Sequence, residues 1–163
     1  MPLFEKTKIY DHIYRWFDWL YAHDIKVLGF VIMPNHYHMI LFLPGEHFSI
    51  HKIIGNCKRF IAYEIVKRLK FQKEKMLLRN LTKNIGEREF IKGKIHNVFE
   101  PSFDAKVIVT EKFLVQKLNY IHFNPVRGKW KLVEDYRKFE HSSAGFYETL
   151  DYTGYPITNY ADL

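Results

Sequence analysis

His36 and His38 stand one residue apart in the run Gly-Phe-Val-Ile-Met-Pro-Asn-His-Tyr-His-Met-Ile-Leu-Phe-Leu-Pro over residues 29–44. A β-strand sends alternate side chains to opposite faces, so this spacing sets both imidazoles on one side of a strand of sheet-forming apolar residues. Neutral imidazole is the commonest protein ligand for metal ions, and a strand fixes its direction better than a loop. The pair is therefore a candidate pincer for a divalent cation. Two hydrogen-bonded histidines at a strand start would show the same pattern. Tyr37 between them is expected on the opposite face, in packing.

A second group of reactive side chains lies in Thr-Glu-Lys-Phe-Leu-Val-Gln-Lys-Leu-Asn-Tyr-Ile-His-Phe-Asn-Pro-Val, residues 110–126. Thr110 suits a helix N-cap, Glu111 suits the positive end of the helix dipole, and Pro125 stops the helix. At roughly 100° per residue, Leu114, Leu118 and Ile121 share one apolar face. Tyr120 points away from that face, with Gln116, Lys117 and Asn124 on its side and Phe113 as the apolar exception. An exposed surface tyrosine and a phenol offered to a substrate both fit this position. Asn124, one turn later, offers an amide oxygen that could complete a metal site, although Pro125 disfavours helical backbone at the residue before it. His122 falls on the core-facing side and is left out of the chemistry.

The elements that must hold these groups are read from periodicity. Residues 10–21 predict a helix with Ile13, Trp16, Phe17 and Leu20 on one side. The histidine strand follows and closes at Pro44-Gly45. Ser49 is a candidate cap for a longer helix in which Ile50, Ile53, Ile54, Cys57, Ile61 and Ile65 repeat at helical spacing. Its other side carries Lys52, Lys58, Arg59, Lys67 and Arg68, a row suited to a phosphate backbone or simply to solvent. Residues 70–94 are charged and weakly periodic and are expected to be a helix end followed by a mobile connection. Residues 95–99 are expected to form a short strand, and residues 107–109 the approach to the Tyr120 helix. This alternation predicts an α+β sandwich with helices against an antiparallel sheet.

Composition fits a compact domain with acidic partners. The 163 residues predict one domain able to bury about two thirds of its unfolded surface. The net charge is +7, the sequence pI is about 9.3, and aromatic residues make up 17%, a balance that favours nucleic acid among partners but also suits ribosomal or membrane-surface proteins. No apolar run reaches the eighteen or so residues of a membrane span and the N-terminus lacks a secretory pattern, so a cytoplasmic protein is expected. Cys57 is the single cysteine; its place on an apolar stripe predicts a buried thiol rather than a nucleophile. His47 and His51, near the turn, are expected at the surface.

The two reactive stretches, in this order and at this separation, resemble the single-tyrosine HUH transposases of simple insertion sequences (IS200-like), and most closely their REP-associated tyrosine transposase relatives. The segment Val-Ile-Met-Pro-Asn-His-Tyr-His-Met-Ile from Val31 resembles their metal-binding strand. The segment Tyr-Ile-His-Phe-Asn-Pro-Val-Arg from Tyr120 resembles their nucleophile helix. Lys58-Arg59-Phe60 resembles part of the first long helix, residues 98–104 the lead into the tyrosine helix, and Ser142-Ser143-Ala144 the closing segment. The likeness covers roughly residues 27–147. Family members open with a strand before the segment that Pro2-Leu3-Phe4 resembles, so the central sheet is expected to lack its opening strand. A misassigned start, a strand from another chain and a degenerate copy are the three readings of that difference.

The resemblance implies a ferredoxin-like antiparallel sheet with helices packed on it, and a bacterial, nucleoid-associated DNA transposase. His36, His38 and Asn124 would hold Mg2+ or Mn2+, although imidazoles alone would also suit zinc. Tyr120 would attack a phosphodiester to leave a 5′-phosphotyrosine link and a free 3′-hydroxyl, which allows rejoining without an outside energy source. A phenol in water ionises only near pH 10, so it must shed its proton as it attacks. The substrate implied is single-stranded DNA, a hairpin repeat or element end, with Lys58, Arg59, Lys117 and Arg127 as phosphate contacts and a homodimer as one arrangement. Two other classes fit the same residues: a hairpin-binding module without turnover, and a metal-dependent phosphodiesterase that uses water.

Overall fold

The computed structural model describes residues 1–83, 85, 90, 91, 93–100, 103–149 and 152–163. The fold is α+β, with helices on both faces of a two-stranded antiparallel sheet. Strand β1 is Lys26–Ile32 and β2 is Tyr37–Phe42. The apolar run that carries the histidines is thus a tight hairpin rather than one strand. Pro34 has no N–H for a ladder, and it turns the chain between Ile32 and Tyr37. His36 therefore sits at the turn and His38 in β2.

Four helices cover one face. Helix α1 is Leu3–Thr7, α2 Tyr10–Ala22, α3 Ile50–Phe71 and α4 Lys75–Lys83. Ile13, Phe17 and Leu20 of α2 and Ile53, Cys57, Ile61, Ile65 and Leu69 of α3 join Val27, Phe30 and Ile32 of β1 in the larger core. Trp16 and Tyr37 pack on its margin, whereas Ile50 stays outside it. Ser49 caps α3 by accepting a hydrogen bond from the Lys52 N–H at 3.4 Å. Where a mobile connection was expected, α4 forms and buries Leu81 against the core. Residues 84, 86–89 and 92 of that connection lie outside the described residues. Val98 and Phe99 pack on the core without strand pairing among the described residues, so the short strand expected over 95–99 is absent there.

The opposite face carries α5, Glu111–His122, followed by the 3-10 turn Asn124–Val126. Leu118 and Ile121 pack with Leu28, Val31, Met33 and Ile40, and Leu114 joins at the edge. A bulge between Val27 and Gly29 puts both Leu28 and Gly29 on this face. Gly29 permits the close approach: a Cβ there would collide with Leu118 Cδ2 and stand 3.6 Å from Ile121 Cδ1.

The far edge of β1 is taken by the later part of the chain. The Ile32 N–H donates to the His141 carbonyl at 2.8 Å, the Ser143 N–H to the Phe30 carbonyl at 3.0 Å, and the Thr158 N–H to the Val27 carbonyl at 3.0 Å. Helix α6, Ala144–Glu148, then sends the Tyr147 hydroxyl to the Leu28 carbonyl at 2.7 Å. Strand β1 is hydrogen-bonded on both sides and wholly buried beyond Lys26. No helix among the described residues is long and apolar enough to cross a membrane.

Candidate active site

His36 and His38 meet at the end of the hairpin, with ring centroids 5.0 Å apart and planes crossed at 84°. The turn that carries His36 is held from below, where the Phe4 and Glu5 N–H groups at the start of α1 donate to the Pro34 carbonyl at 2.9 and 3.3 Å. Tyr37 points to the other face, its hydroxyl 3.3 Å from Cys57 Sγ. Burial raises the pKa of both groups, that of the Cys57 thiol to about 12. Cys57 is thus a protonated core residue.

Asn35, which sequence reasoning gave no role, accepts a hydrogen bond from His36 Nδ1 at 2.8 Å. An amide oxygen only accepts, so the proton sits on Nδ1 and the Nε2 lone pair is left for a ligand. Burial lowers the His36 pKa to about 4, helped by His38, and burial lowers that of His38 as well. Both rings are therefore neutral near pH 7, the state that ligates metal. Two neutral imidazoles with centroids 5.0 Å apart could each offer one nitrogen to a shared cation. The donor pair fits a divalent cation with positions left open. Among the described residues, no group of three His, Cys, Asp or Glu side chains could hold a metal ion, so a cation at this pair would need further ligands from Asn124, water or substrate.

The Tyr120 ring stands 5.7 Å from that of His38, edge to face, and the residue is 54% exposed. Its helix begins where the sequence predicts: Thr110 Oγ1 accepts from the Phe113 N–H at 3.2 Å. Lys117 Nζ lies 5.7 Å from the Tyr120 ring centre and 5.1 Å from that of Phe113, which accounts for the one apolar residue on the polar side. Asn124 closes the helix, with Nδ2 donating to the Tyr120 and Ile121 carbonyls at 3.0 and 3.3 Å. Its Oδ1 takes part in neither bond.

A buried network fixes α5 on the sheet. His122 Nε2 lies 2.8 Å from Ser143 Oγ, which accepts from the Phe30 N–H at 2.9 Å and donates to the Phe30 carbonyl at 3.2 Å. With the proton on Nε2, His122 donates to Ser143 Oγ, which then accepts two hydrogen bonds and donates one. Burial holds the His122 pKa at about 4. This histidine positions the helix.

The four cations proposed for DNA do not converge. Lys117 and Arg127 flank Tyr120, and Arg127 Cζ lies 4.7 Å from the Phe123 ring centre. Lys58 and Arg59 belong to α3, on the opposite face of the sheet. There Lys58 donates to the Glu100 carbonyl at 3.0 Å and Arg59 lies over Phe60. His47 and His51 are exposed. Pro101 and Ser102, in the lead to the tyrosine helix, lie outside the described residues. No protein-family model matches the chain, nor does any curated protein or any solved structure.

Proposed function

We propose that this protein is a metal-dependent nicking and joining enzyme for single-stranded DNA, with the ferredoxin-like HUH architecture of the transposases it resembles. The observation that carries the reading is the meeting of three side chains from two distant stretches: His36 and His38 at 5.0 Å, and Tyr120 at 5.7 Å from His38. A cofactor-free binding module has no need of that meeting.

Tyr120 is the nucleophile. Its phenolic oxygen forms a bond to phosphorus, the bond from phosphorus to the 3′-oxygen breaks, and in net terms the phenol proton ends on that 3′-oxygen. An incoming 3′-hydroxyl reverses the step and joins two strands. Exposure lets the phenol reach a strand, while the His122–Ser143–Phe30 network holds its helix in register with the histidines. Lys117 and Arg127 bring positive charge beside the phenol, where phosphate oxygens arrive. His36, His38 and Asn124 Oδ1 would hold Mg2+ or Mn2+. Such an ion, when bound, draws charge from the phosphate and orients it.

The test uses labelled single-stranded hairpins with Mn2+ and looks for a denaturation-resistant protein–DNA adduct. Tyr120→Phe is expected to abolish the adduct and keep DNA affinity. Adduct formed by the phenylalanine variant overturns the nucleophile. Cleavage without adduct in the native protein identifies a water-using phosphodiesterase, and binding without cleavage a hairpin-binding module.

A further inference from the structure

Beside Tyr120, α5 and the turn after it form an open hollow of about 420 Å³ lined by Gln116, Asn119, Tyr120, Phe123 and Arg127. Positions 116, 119, 120, 123 and 127 recur at helical spacing, so one continuous surface stripe makes the hollow. Two of its lining side chains are braced by aromatic contacts. Phe123 packs on Tyr136 with ring centroids 4.2 Å apart, and the guanidinium of Arg127 stands 4.7 Å from the Phe123 ring centre. A guanidinium braced on an aromatic ring presents a flat, charged face. Along the rim, the side-chain carboxamides of Gln116 and Asn119 have no hydrogen-bond partner among the described residues.

The geometry points to a nucleobase subsite: the hollow takes one unpaired base of the strand whose phosphate lies at Tyr120. The base stacks on Arg127, and the carboxamides of Gln116 and Asn119 bond its edge. Unpaired bases are bound by this combination of a flat aromatic or guanidinium surface and edge-reading amides. A carboxamide offers one donor and one acceptor side by side, the arrangement that pairs with adenine in two bonds. The hollow adjoins the exposed phenol, so a base held there sets which phosphate is presented. Arg127 thereby acts through its plane as well as its charge. This inference rests on the nicking function proposed above for the identity of the strand.

The test is binding, without divalent metal, of decanucleotides of a single base and of an abasic decamer with the same phosphates. The native protein is expected to bind its preferred homopolymer about tenfold tighter than the abasic decamer. Gln116→Ala with Asn119→Ala is expected to shrink that ratio at least about fivefold and to leave abasic binding unchanged, and Arg127→Lys is expected to shrink the ratio as well. Photo-crosslinking of a decamer carrying 5-iododeoxyuridine is expected to mark residues 116–127. An unchanged ratio in both variants, or crosslinks confined to other segments, overturns the subsite. Because these readouts need no cleavage, missing adduct beside a base-dependent ratio overturns the nicking function and leaves the subsite standing.

Discussion

The hydrogen bond from His36 Nδ1 to Asn35 fixes which nitrogen of that ring can face a cation. Partners of this kind typically contribute 10–100-fold to metal affinity. Asn35→Ala is therefore expected to weaken Mn2+ binding by about tenfold without unfolding the protein, as read by titration calorimetry. Replacing both His36 and His38 by Ala is expected to remove Mn2+ binding and metal-dependent cleavage. His122 yields a prediction of a different kind. Its pKa falls from 6.5 in the open chain to about 4 in the fold. The unfolded chain alone takes up the proton between those values, so stability present above about pH 6.5 is lost as pH drops toward 4. His122→Gln keeps an N–H for Ser143 and is expected to flatten this part of the denaturation midpoint against pH. A midpoint that falls as steeply in the glutamine variant would remove His122 as the source.

Helix α5 reaches the histidine hairpin through one missing side chain. With no Cβ at Gly29, Leu118 and Ile121 lie directly on β1. Gly29→Ala must push the helix outward or force Leu118 off its rotamer, an overpacking that costs about 1–3 kcal/mol. The expected result is a lower denaturant midpoint together with slower adduct formation, since Tyr120 rides on the displaced helix. The periodicity of α2, α3 and α5, the caps of α3 and α5 at Ser49 and Thr110, and most of the apolar faces were legible, because each is set by residues within a turn or two. The hairpin was misread as one strand: the apolar run continues through Pro34, and hydropathy alone does not distinguish a buried turn from a buried strand. Helix α4 was missed because a short amphipathic segment among many charges has little pattern until Leu81 finds the core.

Across the whole molecule, the sheet separates two basic surfaces. Lys117 and Arg127 lie with Tyr120, whereas Lys58 and Arg59 lie on α3 behind the sheet. With a net charge of +7, binding to single-stranded DNA is expected to weaken steeply with salt, by about 0.7 in logarithmic slope for each phosphate neutralised. Lys117→Gln is expected to reduce that slope by about 0.7 on a decamer. Arg59→Gln is expected to do so only on a hairpin long enough to reach both faces, as measured by fluorescence anisotropy at several salt concentrations.

The sequence by itself determined the candidate residues, the helix that carries Tyr120 and the basic character of the surface, since these depend on residue type and short spacing. Whether Tyr120 stands beside His38, more than eighty residues earlier, was decided only by packing at Gly29, the bulge beside it and the buried Ser143 network. So was the separation of Lys58 and Arg59 from that site. Local periodicity says which face of a helix is buried, but only the tertiary contact says against what.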